Sequence, residues 1–239
     1  YLPTALLLAL ATGWSGFWFY AAKMADQRLN QWMATEKAAG RNFECIGQEI
    51  GGFPFRIELT CTSVRMTTQN ARAELGAIHT ATQIYSPKLA LADISGPLRI
   101  ESAGVTTVAS WKDMRVSVRF GPGLERLSIM ASDLKAGEIT TDAALTAKSA
   151  ELHLRTDTNQ PPDERAADFV LRLNEAQVPS VDPLFGNKDT GSLELTGTAT
   201  KVIGLRAGAW QSALEGWRAE NGRLILENGR IGKGSFLIE

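Results

Sequence analysis

Cys45, Cys61, His79, His153 and a scatter of carboxylates are the side chains of this 239-residue chain whose types could support catalysis, metal binding or redox chemistry. Each histidine lies in a strand-like run without a cysteine or carboxylate cluster at ligand spacing, and reads as a surface or internally satisfied side chain. Gly13-Trp14-Ser15-Gly16 imitates part of a nucleophile elbow, but it falls inside an uncharged apolar stretch rather than between a strand and a helix. No HExxH, CxxC or Walker-type loop occurs. The carboxylates occupy solvent-facing positions of alternating runs, where charge stays hydrated. The sequence predicts no catalytic residue, no metal ligand set and no cofactor.

The cysteines carry the one chemistry with a geometric argument behind it. Gly51-Gly52-Phe53-Pro54 is a turn-rich centre between two strand-like runs. A hairpin centred on Phe53 places Cys45 opposite Cys61, at a separation that a disulfide spans. The alternative is two buried thiols that share a strand face. A disulfide implies an oxidising compartment for the domain.

The elements that must hold these residues begin with Tyr1–Ala22, which carries no charge. As a helix it is roughly 33 Å long, about the thickness of a bilayer's hydrocarbon core. Trp14, Phe17, Trp18, Phe19 and Tyr20 gather at one end, where amphipathic rings prefer the headgroup level, and Lys23 closes the stretch. Ala21-Ala22-Lys23-Met24-Ala25 is a poor signal-peptidase site, so an uncleaved anchor is expected over a cleaved signal peptide. Asp26–Ala39 is helical in pattern, with Leu29, Trp32 and Met33 at helical spacing and Gly40 where a C-terminal cap belongs.

From Asn42 onward the period changes to two, and turn signals such as Ser95-Gly96-Pro97, Gly121-Pro122-Gly123 and Gly186-Asn187 fall between the runs. The fold class that follows is mainly β: a large curved antiparallel sheet packed by two amphipathic helices, preceded by one N-terminal transmembrane helix. The expected division is an anchor at 1–22 and a β-rich domain at 23–239. Ile57, Leu59, Val116, Val118, Leu127, Ile129, Phe169, Leu171, Leu193 and Leu195 are expected to share one concave apolar face, the candidate groove. Their neighbours Arg56, Glu58, Arg115, Ser117, Arg172 and Glu194 then point the other way. Asp157–Arg165, rich in Asn, Gln and Pro, reads as an exposed loop.

A second helical pattern lies at Arg206–Glu220, with Trp210, Ala213, Leu214 and Trp217 on one stripe and Gly222 closing it. Trp32, Trp210 and Trp217 are expected to point inward. Shifted by 182 positions, Gly40-Arg41 falls on Gly222-Arg223, Gly47 on Gly229 and Gly52 on Gly234. This register points to a duplicated helix–hairpin unit, near 26–63 and again near 206–239, the second expected to continue past Glu239.

A formal net charge of −1 argues against a nucleic-acid partner, which calls for a basic stripe. Gly52-Phe53-Pro54-Phe55-Arg56, placed after such a helix, resembles the signature of an alphaproteobacterial domain-of-unknown-function family, number 2125, itself distantly similar to AsmA-like envelope proteins. The resemblance implies a single-pass protein of the bacterial inner membrane with its main domain in the periplasm. By analogy it implies a role in envelope lipid handling or outer-membrane homeostasis. The expected partners are the lipid bilayer, a phospholipid ligand or envelope proteins. From another functional class, the rival is a non-catalytic envelope assembly scaffold that binds protein partners. A closed, side-chain-filled interior favours the scaffold, and an open apolar groove favours lipid.

Overall fold

The computed structural model describes residues 2–139, 144–161, 164–202 and 210–238, with the backbone alone at 210–213 and 238. Among the described residues the protein is mainly β, with three helices, the first of them long and apolar. It divides into two compact units, Tyr1–Val108 and Ala109–Glu239.

In the first unit, helix α1 runs without interruption over Leu2–Ala38. The expected anchor and the expected Asp26–Ala39 helix are therefore one element, since no Gly, Pro or capping signal separates Ala22 from Asp26. The helix ends in a left-handed cap at Gly40 (φ +81°), with the Arg41 N–H donating to Glu36 O at 2.9 Å. The Arg41 guanidinium hydrogen-bonds the Glu36 carboxylate, which holds Glu36 below the usual carboxylate range and raises Arg41.

The sheet of this unit is an antiparallel meander of four strands, each interrupted once. They are β1 (Asn42–Ile46) with β2 (Glu49–Gly51), β3 (Arg56–Cys61) with β4 (Ser63–Thr67), β5 (Ala71–Leu75) with β6 (Ile78–Gln83), and β7 (Ser86–Ile94) with β8 (Leu98–Ser102). Strand β9 (Val105–Ser110) runs across the division between the units. On one side of the interruptions β1 pairs β4, β4 pairs β5 and β5 pairs β8; on the other β2 pairs β3, β3 pairs β6 and β6 pairs β7. The breaks lie side by side, and backbone bonds still cross them. Thr62 N–H donates to Ile46 O, and Ser95 N–H to Ala77 O, both at 2.8 Å. Ser95-Gly96-Pro97 is thus an interruption inside one long strand rather than a link between two.

The register corrects the hairpin arithmetic. Ile50 faces Leu59 and Cys45 faces Val64, so the turn is centred between Pro54 and Phe55 and not on Phe53. Cys45 and Cys61 are not opposed across a ladder. They lie on β1 and β3, and their disulfide crosses the line of breaks with Cα atoms 5.3 Å apart. The interruption at Gly47 (φ +64°) and Thr62 brings these diagonal positions together.

In the second unit, β10 (Asp113–Phe120), β11 (Leu124–Glu138), β12 (Leu145–Thr156), β13 (Ala167–Ala176), β14 (Gly191–Ala199), β15 (Leu224–Lys233) and β16 (Phe236–Ile238) form a second antiparallel meander, each paired with the next. Short helix α2 (Asp182–Phe185) follows β13, and α3 (Trp210–Ala219) follows β14. Bulges at Glu175 (φ +46°) and between Thr196 and Gly197 add local twist and bend to the strands. Helix α3 is capped like α1, but the left-handed residue is Asn221 (φ +60°) and not Gly222, whose N–H donates to Trp217 O at 2.9 Å. Gly222 is needed for a different reason: a Cβ there would meet the Trp217 ring at 2.1 Å. Helix, cap, strand and a left-handed turn glycine recur in the same order at both ends of the chain, with Gly52 (φ +94°) matched by Gly234 (φ +57°). Behind α2, the Lys233 ammonium is 5% exposed, and it lies 2.8 Å from Asp182 Oδ1 while donating to Asp189 O at 2.6 Å.

Candidate functional site

In an antiparallel sheet, directly opposed residues point to the same face. Val116, Ile129, Leu152, Leu171 and Leu195 form one cross-strand row, and Val118, Leu127, Leu154 and Phe169 the next. A third row holds Met114, Ala131, Ala150, Leu173 and Leu193. Eight of the residues expected to share an apolar face therefore do so within the second unit. Arg115, Ser117, Arg172 and Glu194 occupy the alternate positions, as expected. Ile57 and Leu59 belong to the sheet of the first unit, where they oppose Thr82 and Thr80.

This apolar face holds an open trough of about 730 Å³. Phe169, Leu171 and Leu195 line its floor with Leu152 and Leu154, while Leu124, Leu224 and Leu226 extend it outward. Its size lies within the range of small-molecule sites. Among the described residues of the unit, the buried apolar ones are all alanines: Ala131, Ala147, Ala167 and Ala176. The large leucines and phenylalanines of the face stay half-buried or exposed, so among the described residues this sheet face has no packed second layer of the kind that ordinarily covers one. Among the described residues, Arg165 is the one ionisable residue lining the trough. Its guanidinium donates to two neutral carbonyls, Gln160 O at 3.2 Å and Pro122 O at 3.1 Å, and so is held in place without an ion-pair partner among the described residues. Leu152, Leu154 and Arg165 were not singled out from the sequence. The Ala150/Leu152/Leu154 alternation carries the signal for the leucines; nothing local marks Arg165.

The opposite face is polar and connected. His153 Nδ1 lies 3.0 Å from Ser128 Oγ, and its Nε2 lies 3.3 Å from Glu151. Arg172 reaches Glu151 at 3.9 Å and Glu194 at 2.9 Å. The sequence shows no carboxylate cluster at ligand spacing around His153; Glu151, two positions away on the same strand, lies beside it, and the pairing of β11 with β12 supplies Ser128. Serine, imidazole and carboxylate thus stand in line, but on a half-exposed sheet face whose backbone N–H groups serve the ladders on both sides. Among the described residues of that face, no paired N–H groups are left to stabilise an oxyanion. His79 lies 3.7 Å from Glu58. Among the described residues, no three His, Cys, Asp or Glu side chains converge as a metal site.

In the first unit, the turn Gly52-Phe53-Pro54-Phe55-Arg56 is built against α1. Gly52 O accepts from Arg56 N–H at 2.9 Å, and a Cβ on Gly52 would meet Arg56 O at 2.7 Å. The indole N–H groups of Trp14 and Trp18 donate to Pro54 O and Arg56 O, at 2.9 and 2.7 Å. Phe53 packs edge-on against Trp18 (5.4 Å) and stacks on Phe19 (6.1 Å). Trp18 is only 5% exposed, whereas Leu6, Leu8 and Leu10 stand clear of protein. The indole expected to face inward, Trp32, is half exposed and lies beside Phe43 at 5.0 Å. Trp217 is half-buried and donates to Thr200 O at 2.6 Å; the Trp210 side chain lies outside the described residues. The inward tryptophan of α1 is therefore Trp18, from the stretch read as anchor.

A family model described as an uncharacterized protein conserved in bacteria, DUF2125, matches residues 18–239, and the chain belongs to that family. No curated protein matches the chain. No solved structure matches it.

Proposed function

We propose that this DUF2125 protein is held in the bacterial inner membrane by α1, stands in the periplasm, and shelters the acyl part of an envelope lipid on the apolar face of its second unit. A distant kinship with AsmA-like envelope proteins is part of the same proposal. The observation that carries it is the trough: rows of leucine and phenylalanine that no described residue covers, with one tethered guanidinium at the rim. That combination suits an amphiphile with hydrocarbon chains and an anionic head. Anchoring draws support from the length and composition of α1, which meet the requirement for crossing a bilayer, as a signal sequence's also do. The Cys45–Cys61 disulfide fits an oxidising compartment.

The test is lipid analysis of the full chain purified from bacterial membranes, wild type beside Leu171→Glu, with native mass spectrometry counting bound phospholipid. The expected result is lipid on the wild type and its loss from a variant that melts at a similar temperature. Wild-type lipid on a folded Leu171→Glu chain would contradict the reading, because a carboxylate on the trough floor is costly beside hydrocarbon.

A further inference from the structure

The turn motif lies at a level on α1 that an anchoring helix takes into the bilayer. Trp14, which donates to Pro54 O, precedes the first charge at Lys23 by nine residues, about 13 Å of helix rise. A headgroup layer is only about 6 Å deep on each side of the hydrocarbon. If α1 enters the membrane up to its first charge, the turn goes in with it.

The surface around the turn is made for that position. Phe53, Phe55 and Tyr85 are 53%, 59% and 67% exposed. All three sit at one end of the meander, because Arg56 pairs Gln83 and the Ile84 N–H donates to Phe55 O at 3.1 Å. The aromatic surface continues onto α1, where Phe19 stacks on Phe53 at 6.1 Å and Trp14, beside Phe17 at 5.7 Å, lies 6.2 Å from Phe55; Arg56, 3.3 Å from Glu58, closes the turn. Aromatic rings with basic neighbours favour the boundary between headgroups and acyl chains. A loop can lie in lipid only when its backbone is satisfied within the protein. The carbonyls of Gly52, Pro54, Phe55 and Arg56 all have protein donors, two of them the indoles of α1.

We infer that the Phe53–Arg56 turn, with Tyr85, is a second membrane contact that inserts its aromatic side chains at the headgroup–acyl boundary beside α1. This rests on the reading of α1 as an anchor and adds to it: the first unit is seated in the membrane surface instead of hanging from a tether.

Because Cys45 and Cys61 are bonded to each other, an introduced cysteine is the one thiol available for a spin label. Four full-length variants, Leu6→Cys, Phe55→Cys, Tyr85→Cys and Gln69→Cys, would be reconstituted in vesicles of phosphatidylethanolamine and phosphatidylglycerol. Label depth is read from the ratio of oxygen to nickel-chelate accessibility. Gln69 lies in the turn after β4, at the far end of the hairpin. The expected outcome is a deep label at 6, boundary depth at 55 and 85 with a ratio several-fold above that at 69, and an aqueous label at 69. A deep label at 6 with aqueous labels at both 55 and 85 overturns the inference while leaving the anchor standing. An aqueous label at 6 overturns both. The two independent positions, 55 and 85, guard against a label that disturbs the turn itself.

Discussion

The two helix–hairpin segments share an order of elements and differ in what their helices cover. At the N-terminal end, α1 lies along its hairpin from the Phe43 level to the Pro54 turn, burying Trp18 and satisfying two turn carbonyls with indole N–H groups. At the C-terminal end, Trp217 reaches Thr200 O, yet Leu224, Ile225 and Leu226 on the adjoining strand remain exposed. The same alternating pattern thus yields a covered surface in one place and bare hydrocarbon in the other. Where a covering element is present the pattern builds stability; where no described residue covers it the pattern offers a binding surface.

Substitutions that break the covered side should cost most. Trp18→Ala removes a buried ring and orphans Arg56 O, and should destabilise the first unit by about 4 kcal/mol in a denaturant melt. Trp18→Phe keeps the ring and should lose about 1 kcal/mol for the missing hydrogen bond. Asp182→Ala strips the buried Lys233 ammonium of its charge partner and should cost about 3 kcal/mol in the second unit. Replacing both Cys45 and Cys61 by alanine frees a link of sequence separation 16 and should lower stability by about 3 kcal/mol, read in the same melt. On the bare side, Leu226→Ser should shift stability by no more than about 0.5 kcal/mol, because the side chain is already in solvent. A large loss there would mean that the trough is core.

The smallest effect concerns the cap of α1. Glu36 is held below its ordinary range by the Arg41 hydrogen bond, so its contribution is present above the unfolded carboxylate value and fades as pH falls through the folded one. Wild type and Glu36→Gln should therefore differ slightly in melting temperature at neutral pH and converge in acid. A difference that grows in acid would assign the pair another role.

Much of this was legible in the residues themselves. The period-two alternation fixed which side chains of β10, β11, β13 and β14 share a face, because a strand's two faces follow from parity alone. Parity does not reveal where a strand is interrupted. The breaks at Gly47, Thr62, Gly76 and Ser95–Pro97 depend on neighbouring strands breaking together, so the hairpin register was misjudged although its disulfide was not. Trp18 is a second case: an indole in an uncharged helix reads as a lipid-facing ring, and its burial depends on a turn some 35 residues away. The meeting of Ser128 with the neighbouring His153 and Glu151 likewise needs the pairing of β11 with β12.

The most direct test of the central claim is in-cell photocrosslinking from two positions on β15 in full-length protein. The bulge opposite Thr196 and Gly197 sets Leu226 on the trough face and Asn228 on the polar face. A photoreactive residue at 226 is expected to give adducts of phospholipid mass, and one at 228 is expected to give none. Protein adducts alone at 226, or equal lipid labelling at both positions, would contradict a lipid-bearing trough.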